Sequence, residues 1–207
     1  MDKKELLERL KEKGANRKIL KAFENVKREN FIPLDYQRYA YEDAALPIGR
    51  EQTISQPSTV SFMFSLLEPE NNQKILEVGI GSGYVLALLD EMTKNSKIYG
   101  TERIHRLAGL AATRLKGRKN IKIFHTPNFI GLEEKSPFDR ILVSASAPEL
   151  PKTLVGQLAE DGIMVCPVGG TVIRAQKKND QLEKKEYPGF AFVPLIYPCP
   201  PPASKQE

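Results

Sequence analysis

The chain has 207 residues, 41% hydrophobic and 28% charged, which suffices for one α/β domain with a sizeable core and falls short of two. Its formal charge of +5 is the balance of 31 basic and 26 acidic residues set in mixed patches such as Lys3-Lys4-Glu5, so no nucleic-acid partner is expected. Cys166 and Cys199 form no CxxC pair, and the chain carries neither a secretory apolar run nor a stretch of membrane-spanning length, so a disulfide framework, a metal site and a membrane partner are set aside and a reduced, cytoplasmic monomer is expected.

Leu6, Leu7 and Leu10, then Ile19, Leu20, Phe23 and Val26, recur at helical spacing and predict two short amphipathic helices over residues 2–29, broken near Gly14. Residues 31–49, with prolines, tyrosines and mixed charge, read as an ordered connector. Pro57 suits the first turn of a helix striped by Val60, Met63, Phe64 and Leu67. From there strands are expected at Lys74–Val78, Lys97–Thr101, Ile121–His125, Arg140–Ala145 and Ile163–Val168. Helices are expected between them at Tyr84–Met92, Ile104–Leu115 and Lys152–Ala159. Such alternation predicts a mainly parallel sheet with helices on both faces, a Rossmann-like α/β fold. Past Gly169-Gly170, Val172–Gln176 and Gln181–Lys185 predict an antiparallel hairpin turning at Asn179-Asp180. A last strand is expected over Phe190–Ile196, confined to an edge by Pro194. Residues 1–70 thus form a helical extension and connector, 71–197 the ligand-binding core, and 198–207 a loose tail.

The most informative segment is Lys74-Ile75-Leu76-Glu77-Val78-Gly79-Ile80-Gly81-Ser82-Gly83-Tyr84, an apolar strand that runs into a glycine turn. Glycine permits positive φ and lets a ligand approach bare backbone. A dinucleotide fingerprint places glycines at the first, third and sixth positions, and the sixth here is Tyr84. Glu77, ahead of the turn, would oppose a pyrophosphate and suits a cationic amino-acid end. S-adenosylmethionine carries an ammonium and a sulfonium there, and its carboxylate can take backbone N–H groups of the turn. Glu102 ends the next apolar stretch about 20 residues beyond the glycines, the separation at which a carboxylate binds ribose hydroxyls. Glu77, Gly79, Gly81, Ser82, Gly83 and Glu102 are therefore the candidate cofactor residues.

Gln52-Thr53-Ile54-Ser55-Gln56-Pro57 leads into a helix, where capping by Thr53 or Ser55 explains one hydroxyl but not the run. With this run the chain resembles the protein-L-isoaspartate O-methyltransferase family, and the likeness spans nearly its whole length. Further matching pieces are Ala40-Tyr41-Glu42-Asp43, Leu46 to Gly49, Ile75 to Tyr84, Glu102-Arg103-Ile104, Pro137-Phe138-Asp139, Ala145 to Pro151, Asp161-Gly162, Pro167-Val168-Gly169 and Phe192 to Leu195. The resemblance implies a class I methyltransferase that moves a methyl group from S-adenosylmethionine to the free α-carboxylate of L-isoaspartyl residues in damaged proteins. The ester then closes to a succinimide that reopens partly to normal aspartate, which is protein repair. A carboxylate is already nucleophilic, so no general base is required. The resemblance makes Ser55 the catalytic residue, orienting the acceptor carboxylate. It places Thr53, Ile54 and Ser55 on the donor pocket, Gly79, Gly81 and Ser82 at the amino-acid end and Glu102 on the ribose, with backbone contacts from Val193 and Leu195 to the substrate peptide.

The chain departs from the family at Thr126-Pro127-Asn128, where Gly-Asp-Gly is usual and the aspartate contacts the adenine amino group. Pro127 offers neither carboxylate nor N–H, and Asn128 is the expected substitute. A nucleic-acid or other small-acceptor methyltransferase, and a cofactor-binding member with reduced activity, are the alternatives. Ser144 to Glu149 stands where amino-directed enzymes carry an Asn/Asp-Pro-Pro-aromatic motif. His105 and His125 read as a helix start and a strand end, Cys166 as a core side chain, and Lys116, Arg118, Lys119 and Lys122 as a solvated helix end.

Overall fold

Two capped helices open the chain in the computed structural model, which describes residues 1–197; the tail expected at 198–207, with Cys199, lies outside the described residues. Asp2 and Glu5 form a reciprocal capping box on α1 (Lys3–Glu12), and the Asn16 side chain accepts from Ile19 N–H at the start of α2 (Arg17–Asn25). Leu6, Leu10, Ile19 and Phe23 are buried, so the apolar stripes seen in the sequence are the faces that pack.

The connector is more structured than its composition suggests. Two 3-10 segments, Arg28–Phe31 and Leu34–Tyr39, lead into a hairpin of β1 (Leu46–Gly49) and β2 (Gln52–Ile54). The turn places Arg50 and Glu51 at φ 54° and 58°, and neither is a residue that advertises the left-handed region. The next helix, α3 (Pro57–Leu67), has Pro57 in its first turn but no side-chain cap from Thr53 or Ser55; Asp43 Oδ1 accepts from Ser58 N–H at 2.9 Å instead. At its other end Arg140 Nε and Arg174 Nε donate to the carbonyls of Glu68 and Leu66, cations where the helix dipole is negative.

The core alternates as expected through β3 (Lys74–Val78), α4 (Tyr84–Met92), β4 (Lys97–Glu102), α5 (His105–Arg114), β5 (Ile121–His125), β6 (Phe138–Val143), α6 (Lys152–Gly156), β7 (Leu158–Val168), β8 (Thr171–Lys178) and β9 (Gln181–Pro188). The sheet order is β5-β4-β3-β6-β7-β8-β9, parallel from β5 to β7 and antiparallel thereafter. Burial on both faces is visible along single strands: Ile75, Leu142, Ile163 and Val165 join one apolar cluster, and Leu76, Val78, Ile141, Val143, Met164 and Cys166 the other. The first face carries α1 to α5, with Tyr84 edge-on to Phe23 at 6.2 Å. The second carries the short α6, through Leu154, and Leu132 from the irregular stretch after β5.

Two sequence expectations fail. The helix expected over Lys152–Ala159 stops at Gly156, and Leu158 begins an 11-residue β7. Asp161 at φ 59° and Gly162, where a Cβ would lie 2.8 Å from the Ala159 carbonyl, kink the strand and let it continue. The strand expected over Phe190–Ile196 does not form. Pro194 supplies no N–H, and the segment touches the sheet through one bridge: Ser146 N–H donates to Val193 C=O at 2.8 Å and Leu195 N–H to Ser146 C=O at 2.7 Å. β9 therefore ends the sheet among the described residues, with Glu183, Lys184, Lys185 and Glu186 all exposed.

Candidate active site

After β3 the chain builds outward through β4 to β5, then returns to lay β6 on the other side of β3. Ligands in such sheets bind where this order reverses, at the carboxyl ends of the strands. The glycine turn leaves β3 and Ser144 leaves β6 at that point. Ser144 Oγ donates to Glu77 Oε1 at 2.8 Å across the divide.

Glu77 is 1% exposed, and its other oxygen, Oε2, has no hydrogen-bond partner. Burial pushes this carboxyl up to about 8, the Ser144 hydroxyl opposes the shift and the charge of Glu102 adds to it. Glu77 lines a recess of about 30 Å³ together with Thr53, Ile54, Ser55, Gly79, Gly81, Ser82 and Ser144. A buried, unpartnered carboxylate oxygen in a recess is a site for a cation, and the ammonium of S-adenosylmethionine meets that requirement.

Gly79, Gly81 and Gly83 lie at φ 81°, 50° and 85°, the conformations the sequence pattern required. Their amides are less available than expected. Gly79 and Ile80 N–H donate to the Thr101 carbonyl, Gly81 N–H to Glu102 Oε2 at 2.9 Å, and Gly83 N–H back to Ile80. Only the Ser82 amide of the turn lacks a partner among the described residues, so it and the Ser82 hydroxyl are the groups open to a ligand carboxylate. Gly83 lines none of the cavities described in this section. A Cβ there would meet Leu115 Cδ1 at 2.9 Å and Ala111 Cβ at 3.1 Å, so the packing of the turn on α5 by itself requires glycine here.

Glu102 is 6% exposed and grips two amides, Gly81 through Oε2 and Ile104 through Oε1, both at 2.9 Å. It fixes the turn while lining a cleft of about 70 Å³ with Gln52, Thr53, Thr126, Pro127, Phe129, Val193 and Leu195. Each carboxylate oxygen keeps a further lone pair, as ribose binding requires. Pro127 faces the cleft, whereas the exposed Asn128 lies on the adjoining hollow of about 1010 Å³ that shares Thr126, Phe129 and Ile130 with it. Asn128 thus stands beside the cleft, on the hollow that continues it, and not in the place of Pro127. A nucleoside needs several hundred Å³, which the cleft alone lacks and the cleft with that hollow, past the 53% exposed Phe129, supplies. His105 and His125 do start α5 and end β5, with rings 4.9 Å apart, and His125 Nε2 lies 3.1 Å from the Arg103 carbonyl.

On the other side an outer hollow of about 670 Å³ is lined by Lys13, Thr53, Ser55, Gln56, Ser58, Thr59, Ser144, Phe190, Phe192 and Val193. Thr53 and Ser144 line cleft, recess and outer hollow alike, and Ser55 stands between recess and outer hollow. Val193 and Leu195 spend one backbone group each on Ser146, which holds this segment against the cleft.

Sequence reasoning missed Arg28. Fully buried, it donates from Nη1 to the carbonyls of Ala40 (2.8 Å) and Glu42 (3.1 Å), and from Nη2 to those of Ala44 (2.9 Å) and Ser55 (3.1 Å). Burial lowers its pKa, and Tyr84 and Asp43 pull the other way. One guanidinium fork thus gathers the connector and sets the backbone of Ser55. Its place between buried Val26 and Phe31 is the one trace of this in the sequence.

The family described as protein-L-isoaspartate(D-aspartate) O-methyltransferase matches residues 1–198. The chain is 41% identical over 200 residues to a protein-L-isoaspartate O-methyltransferase of Dictyoglomus turgidum, covering 93% of this chain and 90% of that one. A protein of the same name from Methanococcoides burtonii is 40% identical over 199 residues, 92% of this chain and 98% of its own. Among solved structures, a candidate protein-L-isoaspartate O-methyltransferase from Plasmodium falciparum, in complex with S-adenosyl-L-homocysteine, superposes with a TM-score of 0.81 at 29% identity, over 95% of this chain and 99% of that one.

Proposed function

Because the chain belongs to the protein-L-isoaspartate(D-aspartate) O-methyltransferase family, we infer that it transfers the methyl group of S-adenosylmethionine to the free α-carboxylate of L-isoaspartyl residues in damaged proteins. Beyond the kinship, the observation that carries this reading is the meeting of cleft, recess and outer hollow at Thr53 and Ser144, with Ser55 between recess and outer hollow. A donor on one side and a carboxylate on the other can face each other only there.

Each residue has a role in this reading. Glu77 receives the ammonium, the Ser82 amide and hydroxyl the donor carboxylate, and Glu102 the ribose; Thr53, Ile54, Gly79 and Gly81 shape the space between. When bound, S-adenosylmethionine supplies an electrophilic methyl carbon on sulfur. The Ser55 hydroxyl donates to the acceptor carboxylate and aims one of its oxygens. No proton has to leave that carboxylate first, which agrees with an outer hollow whose polar lining is mostly hydroxyl and amide. Alignment and exclusion of water are then the chief sources of rate. Val193, which lines cleft and outer hollow, brings backbone to the substrate side, and Leu195 anchors it from the cleft. The buried free Cys166 suits a reducing, cytoplasmic setting, and no described helix is long and apolar enough to cross a membrane. We read the protein as a monomer with no nucleic-acid partner.

The test is methyl transfer to a pair of peptides that differ only in having an isoaspartyl or a normal aspartyl residue. Labelling of the isoaspartyl peptide alone is expected. Equal labelling of both, or of neither while tRNA is labelled, overturns the assignment.

A further inference from the structure

We infer that Lys13, at the end of α1, is a specificity-determining residue that favours isoaspartyl acceptors flanked by acidic side chains. The inference rests on the function proposed above and deepens it by naming a substrate class. In the outer hollow, Thr53, Ser55 and Ser58 offer hydroxyls and Phe190 and Phe192 apolar rings, and Lys13 is the one charged lining residue among the described ones. An anionic acceptor that enters this space meets a single ammonium.

That ammonium is loosely paired with Asp43 and still accessible. The Lys13 backbone N–H donates to Arg9 C=O, and Gly14 follows at φ 90°, so the side chain leaves from a defined helix stop and not from a loose loop. Its Nζ stands 3.7 Å from Asp43 Oδ2, beyond hydrogen-bond range, and its side chain is 55% exposed. Asp43 is already engaged, its Oδ1 accepting from Ser58 N–H at the start of α3. Lys13 therefore balances the Asp43 charge across a long ion pair while its hydrogen-bond donors stay open to a ligand. The facing wall, residues 189–193, belongs to no strand, leaving room for an extended peptide to lie between it and α1.

The experiment measures kcat/KM for three isoaspartyl peptides with acidic, neutral or basic flanks. It compares the native protein, Lys13→Gln, Lys13→Glu and, as a control for net charge, Lys119→Gln, which alters an exposed lysine beside a different hollow. Exposed charge pairs are worth little, so the acidic-over-neutral ratio should fall about two- to fivefold in Lys13→Gln, invert in Lys13→Glu and hold in Lys119→Gln. The native preference should also shrink at high salt. Fluorescence anisotropy with labelled acidic and neutral peptides, in the presence of S-adenosylhomocysteine, reads the same ratio from Kd if turnover is absent. An unchanged ratio in both Lys13 variants overturns the inference, whereas loss of isoaspartyl selectivity with the ratio intact overturns only the proposed reaction.

Discussion

The amino-acid and ribose end of the donor site rests on residues 74–102, where one strand, one turn and the end of the neighbouring strand hold each other through Thr101 and Glu102. The acceptor side is gathered from distant stretches, with Lys13, residues 40–58, Ser144 and residues 189–193 brought together largely by Arg28 and by a single bridge at Ser146. Local construction tolerates change elsewhere in the chain; remote construction depends on a few long-range contacts. Substitutions should therefore separate the two sides.

The largest effect is expected at Arg28. Arg28→Met leaves four carbonyls without their donor, that of Ala40 fully buried, and should lower stability by about 3 kcal/mol, measured by chemical denaturation. Arg28→Lys, a milder change, should weaken peptide turnover while S-adenosylhomocysteine binds as before; equal losses on both sides would break the comparison. Next comes Ser55→Ala, expected to reduce kcat about 100-fold through misalignment of the acceptor, with donor Kd little altered in calorimetry. A loss of donor affinity instead would move Ser55 to the donor side.

Glu77 gives a pH-dependent separation. Its carboxyl is raised from 4.5 to about 8 in the folded state, so the folded protein holds a proton that the unfolded chain has released, and this group's contribution to stability is lost as pH climbs through that interval. Glu77→Gln should flatten the corresponding decline of Tm. Binding of a cationic donor near neutral pH should expel the proton, visible as a dependence of binding enthalpy on buffer ionisation in the native protein and not in the variant. A Tm difference that does not vary with pH would refute this. The smallest effect is expected for Pro127→Asp, which restores a carboxylate to the cleft wall and should tighten donor binding by about 1 kcal/mol, a shift of roughly fivefold in Kd.

What could be read from the sequence follows the same division. The strand, turn and helix at Lys74–Met92 were legible to the residue because their signals are local: apolar run, glycines, apolar helix. Asn179-Asp180 announced its hairpin because both residues tolerate positive φ, whereas Arg50-Glu51 makes the same kind of turn with residues that do not, and the β1–β2 hairpin went unseen. The start of β7 was misplaced because Leu158 and Ala159 continue an apolar pattern equally suited to a helix end. Gly83 matched the motif by type, yet only the structure revealed the packing against Leu115 that by itself requires glycine there. Arg28 leaves no more than its place between Val26 and Phe31, since little in a mixed-charge segment distinguishes a cation that will be surrounded by carbonyls from one that will meet water.

The charged margin formed by Glu183, Lys184, Lys185 and Glu186 bears on the company this protein keeps. A bare sheet border would invite any extended chain to zip on as an extra strand and stay. A row of interleaved ammonium and carboxylate groups discourages such annealing, so the outermost described strand can stay unpaired without becoming a template for aggregation.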